Sequence, residues 1–448
     1  MGGERLHLEE RSTFRDPFER DRDRLLYSSA FRRLAGVTQV AAAHERPLLH
    51  NRLTHSMKVA QVGRRLAQRL IHPKFGDPNL RQVIDPDVVE TAGLAHDLGH
   101  PPFGHSAEVV LNDRLKGAGG FEGNAQSFRI VTKLSVIVQS HPGLNLTERT
   151  LNSILKYPCY LDELAEVKAA RQDGGREYWW DRSLGSKWGA YHSEAEAFKF
   201  ARPQHSSSGL ERYQRSPEAI IMDWADDISF GTHDIDDYFR AGLIPLHDLK
   251  RHRADLQLFA QKRMQKLSDF KLPELEQAFD SILEIPVKDP FEQSPKDRES
   301  IHAFVNAIMT LLTNGCIGID EPPWVAVTEQ AQYLAEALKN MTRYFVIDSA
   351  ATSIARAGQT NLVADLYDIL AEWLQQDPRA PRLPRLLRSM FTASYADHEL
   401  RNSMGYDEGR LAQRVVADYI CTLTEPQAID MAQRFNGTSL ASMFGSWF

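Results

Sequence analysis

The run Val88–His105, VVETAGLAHDLGHPPFGH, constrains this chain more than any other stretch. It begins with apolar residues at helical spacing, reaches an adjacent His96-Asp97 pair, and breaks at Gly99, Pro101 and Pro102. His96 lies four residues after Ala92 and eight after Val88, so it shares the buried stripe of its helix. A lone core histidine commonly just hydrogen-bonds a carbonyl. A carboxylate beside it is costly to bury unless it is paired or coordinated, so the doublet reads as part of a metal site.

The flanking text is helical. His55, Val59, Val62, Leu66 and Leu70 recur at spacings of 4, 3, 4 and 4, which predicts one buried face on a helix over 55–70. Pro73, Gly76 and Pro78 end that helix, and Asp85-Pro86 starts the next, predicted over 87–98. Residues 25–34, 121–137 and 217–240 carry similar patterning. Arg15–Arg24 reads as a solvated arm or first helical turn, Gly117–Gly120 as a flexible loop, 167–190 as loop-like, and Gln204–Gly209 as a mobile surface loop. Polar, Pro-containing segments at 285–298 and 377–384 interrupt later amphipathic helices. Strand-like alternation is scarce and no repeat or heptad is present, so the predicted class is all-α.

Composition excludes several functions. No apolar run approaches the roughly 20 residues that span a bilayer, and the charged start is unlike a secretory signal. Three scattered cysteines, Cys159, Cys316 and Cys421, suit a reducing compartment, hence a cytoplasmic protein, and none has zinc-site spacing. The net charge of −7, from 53 basic and 60 acidic residues, argues against a broadly basic DNA-coating surface while leaving room for a local basic pocket.

Two histidines at helix ends, His55 and His96, can converge with Asp97 without distorting either helix. A fourth ligand is expected on an apolar helix, and Ala219–Ile228 holds three acids among small and apolar residues. Asp226 shares a face with Met222, Phe230 and Asp234, whereas Asp223 competes from one turn earlier. A His2Asp2 donor set without thiolate suits Mn, Fe, Mg, Co, Ni or Zn alike.

The ordered series His55, His96-Asp97 and a later Asp resembles the HD superfamily of metal-dependent phosphohydrolases. More specifically, the chain resembles the bacterial dGTP triphosphohydrolase (dGTPase-like) family. The matching text includes Asp21-Arg22-Asp23-Arg24, Ser29–Leu34, Thr38-Gln39-Val40, Asn51–Ser56, His96–His105, Gly120–Gln126, Ala225–Ile228 with His233-Asp234, and Asp418-Tyr419-Ile420. The resemblance implies one helical domain over 1–448, with an HD core at 27–240 and a helical extension at 241–448 completing the pocket and oligomer contacts. It implies His55, His96, Asp97 and Asp226 as ligands to one divalent metal per subunit, with further Mg accompanying the nucleotide. His105 and Glu108 match the catalytic histidine and its carboxylate partner. Arg52 and Gln39 match residues lining the nucleotide pocket, and Asp234 one near the sugar. Relatives look like ring-shaped oligomers, often hexamers, regulated by dNTP or GTP at subunit contacts.

The implied reaction removes the whole triphosphate from a dNTP, so attack falls on the α-phosphorus and the 5′-oxygen leaves. A histidine oriented by a carboxylate suits proton transfer, as acid toward that oxygen or as base toward water. Arg52, three residues before His55, offers a guanidinium fork for phosphate oxygens. Arg32 and Arg33 are weaker phosphate candidates, since paired arginines on a helix are usually solvated. The chain departs from the family pattern at Phe230, where tyrosine is common, at Val37, where a basic residue is frequent, and at Gly123, where some members have histidine. Competing readings are another HD-type nucleotidase or phosphodiesterase, or a non-catalytic nucleotide- or ssDNA-binding regulator.

Overall fold

The computed structural model describes residues 2–9, 14–38, 50–135, 141–173, 186–202, 210–266 and 270–439. These residues are overwhelmingly helical, and the strands among them are β1 (Cys316–Gly318) and β2 (Val325–Val327), which form a short antiparallel hairpin. The all-α prediction therefore holds. Ten helices build and support the candidate site: α1 (Pro17–Tyr27), α2 (Arg52–Leu70), α3 (Pro86–Ala95), α4 (His105–Arg114), α5 (Gly123–Arg129), α6 (Pro217–Arg240), α7 (Glu329–Thr342), α8 (Ala350–Gln376), α9 (Arg385–Ser394) and α10 (Glu408–Ile420).

Local chemistry sets their starts. Asn51 caps α2 in a reciprocal capping box with Thr54, and Asp85 and Ser216 cap α3 and α6, each followed by proline at the first helical position. The buried face of α2 is the one its spacing predicts: His55, Val59, Val62, Leu66 and Leu70 are all at most 5% exposed. Each such Val or Leu contributes roughly 1.5–3 kcal/mol of burial. α2, α3 and α6 pack on one another, and a Cβ at Gly93 of α3 would fall 2.7 Å from the Ala60 Cα. Only glycine permits that approach, which brings the N-terminal end of α2 to the C-terminal end of α3.

Three large apolar clusters share the chain. One joins α2 and α6 to the helices and hairpin between 244 and 346, a second joins α4 to α8, α9 and α10, and a third links α1 and α3 to residues 128–155. Arg129 fastens α5 to α10. Fully buried, it donates through Nε and Nη2 to both oxygens of Asp418 at 2.8–3.0 Å, and through Nη1 to Glu194 at 2.5 Å.

The structure corrects several expectations. α3 ends at Ala95, because the chain turns at His96 to let Gly99 pack against α5. Of the two readings of Arg15–Arg24 the helical one holds, as most of it lies in α1, but it is not simply solvated: Asp21 is fully buried and accepts from the Thr147 amide and hydroxyl. Residues 167–173, expected to be loop-like, belong to a helix over Leu164–Asp173. Gly117–Gly120 is a clamped turn, since Arg414 donates to the carbonyls of Ala118 and Gly120 at 2.7 and 2.6 Å. The Gln204–Gly209 loop lies outside the described residues.

Arg129→Leu should be among the most destabilising substitutions in the chain. It leaves Asp418 and Glu194 buried without a counter-charge, a cost of about 3–5 kcal/mol. Thermal unfolding should show a lowered Tm, and an unchanged Tm would refute the role given to this clamp.

Candidate metal and proton-transfer site

α2, α3 and α6 deliver three side chains to one point. A ring nitrogen of His55, a ring nitrogen of His96 and a carboxylate oxygen of Asp226 all lie within 4.8 Å of one another. His55 comes from the first turn of α2, His96 caps the C-terminus of α3, and Asp226 projects from the middle of α6. His55 Nε2 is 3.0 Å from Asp226 Oδ1. Asp223, the competing acid, faces elsewhere: its oxygens are held by Lys156 at 2.5 Å and Arg215 at 2.6 Å.

The tautomer of His96 follows from its partner. Nδ1 lies 2.7 Å from the Gly93 carbonyl, which can only accept, so Nδ1 carries the proton. Nε2 is buried, has no hydrogen-bond partner, and stands 3.5 Å from Asp97 Oδ1 and 3.7 Å from Asp226 Oδ1. Nε2 thus points toward two carboxylates. That donor set of imidazole nitrogens and carboxylate oxygens, converging in a largely buried space, fits a divalent cation.

Asp97 adjoins this set through Oδ1, and its other oxygen is committed. Oδ2 is bound by Arg52 Nη1 at 2.6 Å, and both residues are buried. Burial works to raise the Asp97 pKa, yet positive charge around it, that of Arg52 at 2.6 Å included, holds it well below the ordinary carboxylate range. Asp226 is likewise held low against its burial, chiefly by Lys156 and by the hydrogen bond from His55. Arg52, read from sequence as a phosphate fork, thus already engages one ligand candidate with one arm, while its Nε has no partner.

A second cluster adjoins the first. His100 Nδ1 is 3.3 Å from Asp97 Oδ1, and its Nε2 is 3.1 Å from Glu108 Oε1. Glu108 in turn holds His105 Nδ1 through Oε2 at 2.9 Å. His105 opens α4 with its side chain 71% exposed, whereas Glu108 and His100 are shielded. Burial, reinforced by Arg52, pushes His100 down to about 3, so it stays neutral near neutral pH and cannot shuttle a proton there. His105 is the solvent-facing member, and Glu108 orients its ring.

The turn between the two clusters is braced from below. The Gly99 amide donates to Ser127 Oγ, and that hydroxyl donates to the His96 carbonyl, both at 2.9 Å. A Cβ at Gly99 would meet the Gly123 carbonyl at 2.1 Å, so this position also requires glycine. Arg33 is buried rather than solvated and donates to the carbonyls of Leu98, His100 and Leu423, which makes it a brace instead of a phosphate ligand.

The remaining predicted positions separate. Asp234 is buried with Oδ2 unpartnered, and burial together with Asp237 and Asp226 pushes its pKa well above the carboxylate range. Phe230 is half-buried on α6 between Asp226 and Asp234. Val37 is buried, and a Cβ at Gly123 would sit 2.6 Å from Glu108 Oε1, so a histidine there would require Glu108 to move. Gln39 lies outside the described residues.

Sequence reading passes over His100 and two lysines. Lys156 Nζ is 3.4 Å from Asp226 Oδ2, and Lys187 Nζ is 3.5 Å from Glu122 Oε1. A lysine between Leu155 and Tyr157, in an otherwise apolar run, is the signal that could have found the first. The second has none.

The family model described as HD domain matches residues 52–231, and the phosphohydrolase-associated domain matches residues 325–434. The first interval holds all the residues of both clusters. Relatives named deoxyguanosinetriphosphate triphosphohydrolase-like protein align along nearly the whole chain. The one from Vibrio parahaemolyticus is 30% identical over 447 residues, covering 94% of this chain and 93% of that protein. One from Vibrio vulnificus is 30% identical over 451 residues, covering 96% and 94%, and one from Aliivibrio fischeri is 30% identical over 449 residues, covering 93% and 92%. The chain therefore belongs to the deoxyguanosinetriphosphate triphosphohydrolase-like family of HD-domain phosphohydrolases.

Proposed function

We propose that the protein is a metal-dependent dNTP triphosphohydrolase that cleaves dGTP, and other dNTPs, at the α-phosphorus to give a deoxynucleoside and inorganic triphosphate. The observation that carries this reading is the unpartnered His96 Nε2, facing Asp97 and Asp226 beside a carboxylate-oriented, solvent-facing histidine. The relatives' printed name supports the substrate class.

His55, His96, Asp97 and Asp226 would hold the cation, which when bound supplies Lewis-acid polarisation of a phosphoryl oxygen. The chain's own residues do the rest. Lys156, Lys187 and Arg52 supply positive charge toward a polyanionic substrate, with Arg52 also keeping Asp97 ionised and oriented. Glu108 holds the His105 ring so that its Nε2 faces solvent and substrate, where it exchanges a proton with the leaving 5′-oxygen or the attacking water. His100, neutral and buried, relays position rather than protons. Asp234, about two turns beyond Asp226 on α6, would offer a protonated carboxyl to the sugar, near a Phe230 that has no hydroxyl to add.

Product analysis tests the reaction. Incubation with each dNTP and rNTP, singly and mixed, with Mn or Mg should release triphosphate and deoxyguanosine from dGTP; orthophosphate or pyrophosphate alone would rule the reading out. Substitution tests the roles. His96→Ala and Asp97→Ala should lose bound metal and activity together, as should Asp226→Asn. Asp223→Asn should keep its metal stoichiometry, since Asp223 is committed to Lys156 and Arg215. His105→Ala should retain metal and lower turnover by roughly 10²–10⁴. Near-wild-type turnover in that variant would remove His105 from the mechanism.

A further inference from the structure

We propose that the depression bordered by α9 and the turn before it binds a polyphosphate anion, either inorganic or the phosphate tail of a nucleotide. The cavity measures about 530 Å³ and is lined by Arg379 of the turn and by Arg385, Arg388, Ser389 and Thr392 of α9. Separations of three and four residues place these α9 side chains on one helical face. The opposite face of α9 buries Leu387 and Phe391, so the arginine face is the outward one. None of the lining residues belongs to the two clusters around His96 and His105.

The charge here is unbalanced. Residues 377–392 contain four arginines and one acid in a chain of net charge −7. The acid, Asp377, accepts from the backbone amide of Arg379, and Arg382 is occupied by Gln376 and the face of Trp373. Arg379, Arg385 and Arg388 pair with no carboxylate among the described residues, and Arg388 Nε is buried without any partner. Several other surface arginines are matched, Arg114 with Asp368, Arg253 with Asp280, and Arg212 with Glu163, whereas three unmatched ones gather here. Three guanidiniums left facing one hollow repel each other until an anion enters.

Phosphate is the anion this arrangement fits. Guanidinium forks bond tetrahedral phosphate oxygens in bidentate fashion, and one carboxylate cannot satisfy three of them. The Thr392 hydroxyl already donates to the Arg388 carbonyl, which leaves Ser389 as the hydroxyl donor on this face. The depression is open to solvent and leaves room beyond one phosphate, so a chain of phosphates suits its charge.

Hydrogen–deuterium exchange on the full chain tests the assignment. Sodium tripolyphosphate should slow exchange across 378–394 in the wild type and equally in His96→Ala, whose catalytic cluster is impaired. In Arg385→Gln/Arg388→Gln the concentration for half-protection should rise roughly tenfold or more, with exchange elsewhere unchanged. Arg385→Lys/Arg388→Lys, which keeps charge without the forks, should fall between the two. Comparing tripolyphosphate with dGTP in the His96→Ala background separates the sources: equal protection means that the tail alone is read, and stronger protection by dGTP means that a nucleotide is. Absence of protection by both, protection that survives the double Gln change, equal protection by polyglutamate at matched charge, or protection by a thymidine oligonucleotide alone would each overturn the proposal.

Discussion

Two aspartates held in the packed junction of α2, α3 and α6 set the terms for the surrounding structure. An ionised carboxylate in an apolar core is tolerated only when its charge is answered nearby. Asp97 is answered by Arg52 on one oxygen, and Asp226 by Lys156 and His55. Asp97 Oδ1 and Asp226 Oδ1 both lie beside His96 Nε2, at 3.5 and 3.7 Å, a convergence of donors that suits a cation. The fold holds it because the close α2–α3 contact at Gly93, the Ser127 bridge and Arg33 fix the backbone on each side.

The features legible in the sequence are those that depend on local period and chemical rarity. The buried face of α2 follows from spacing, the start of α3 follows from Asp85-Pro86, and His96-Asp97 stands out because acid beside imidazole is costly in a core. Choosing between Asp223 and Asp226 cannot be done that way, since both lie on the same helix among apolar residues. The choice depends on Lys156 and Arg215 binding Asp223, and the first of these is 67 residues away in sequence. Arg33 defeats sequence reading for a related reason. A paired arginine on a helix looks solvated until Leu423, far downstream, folds across it. The Gly117–Gly120 turn looks flexible because its clamp, Arg414, also comes from far downstream.

These misreadings share a cause, which is the contribution of the C-terminal third to the site. Glu425 accepts from the backbone amides of Thr38 and Phe103 through the same oxygen, tying the segment before α2 to the turn that presents His105. Arg33 joins Leu423 to Leu98 and His100, and Asp418 anchors α5, which carries Ser127, through Gln126 and Arg129. The turn from His96 to His105 is therefore supported on one side by α2 and α6 and on the other by residues 414–425. An exposed histidine such as His105 can keep a fixed ring only if its backbone and Glu108 are held. The C-terminal helices serve that purpose: they brace the half of the site that the metal cluster does not reach, which gives the phosphohydrolase-associated segment a physical reason to accompany the HD segment in one chain.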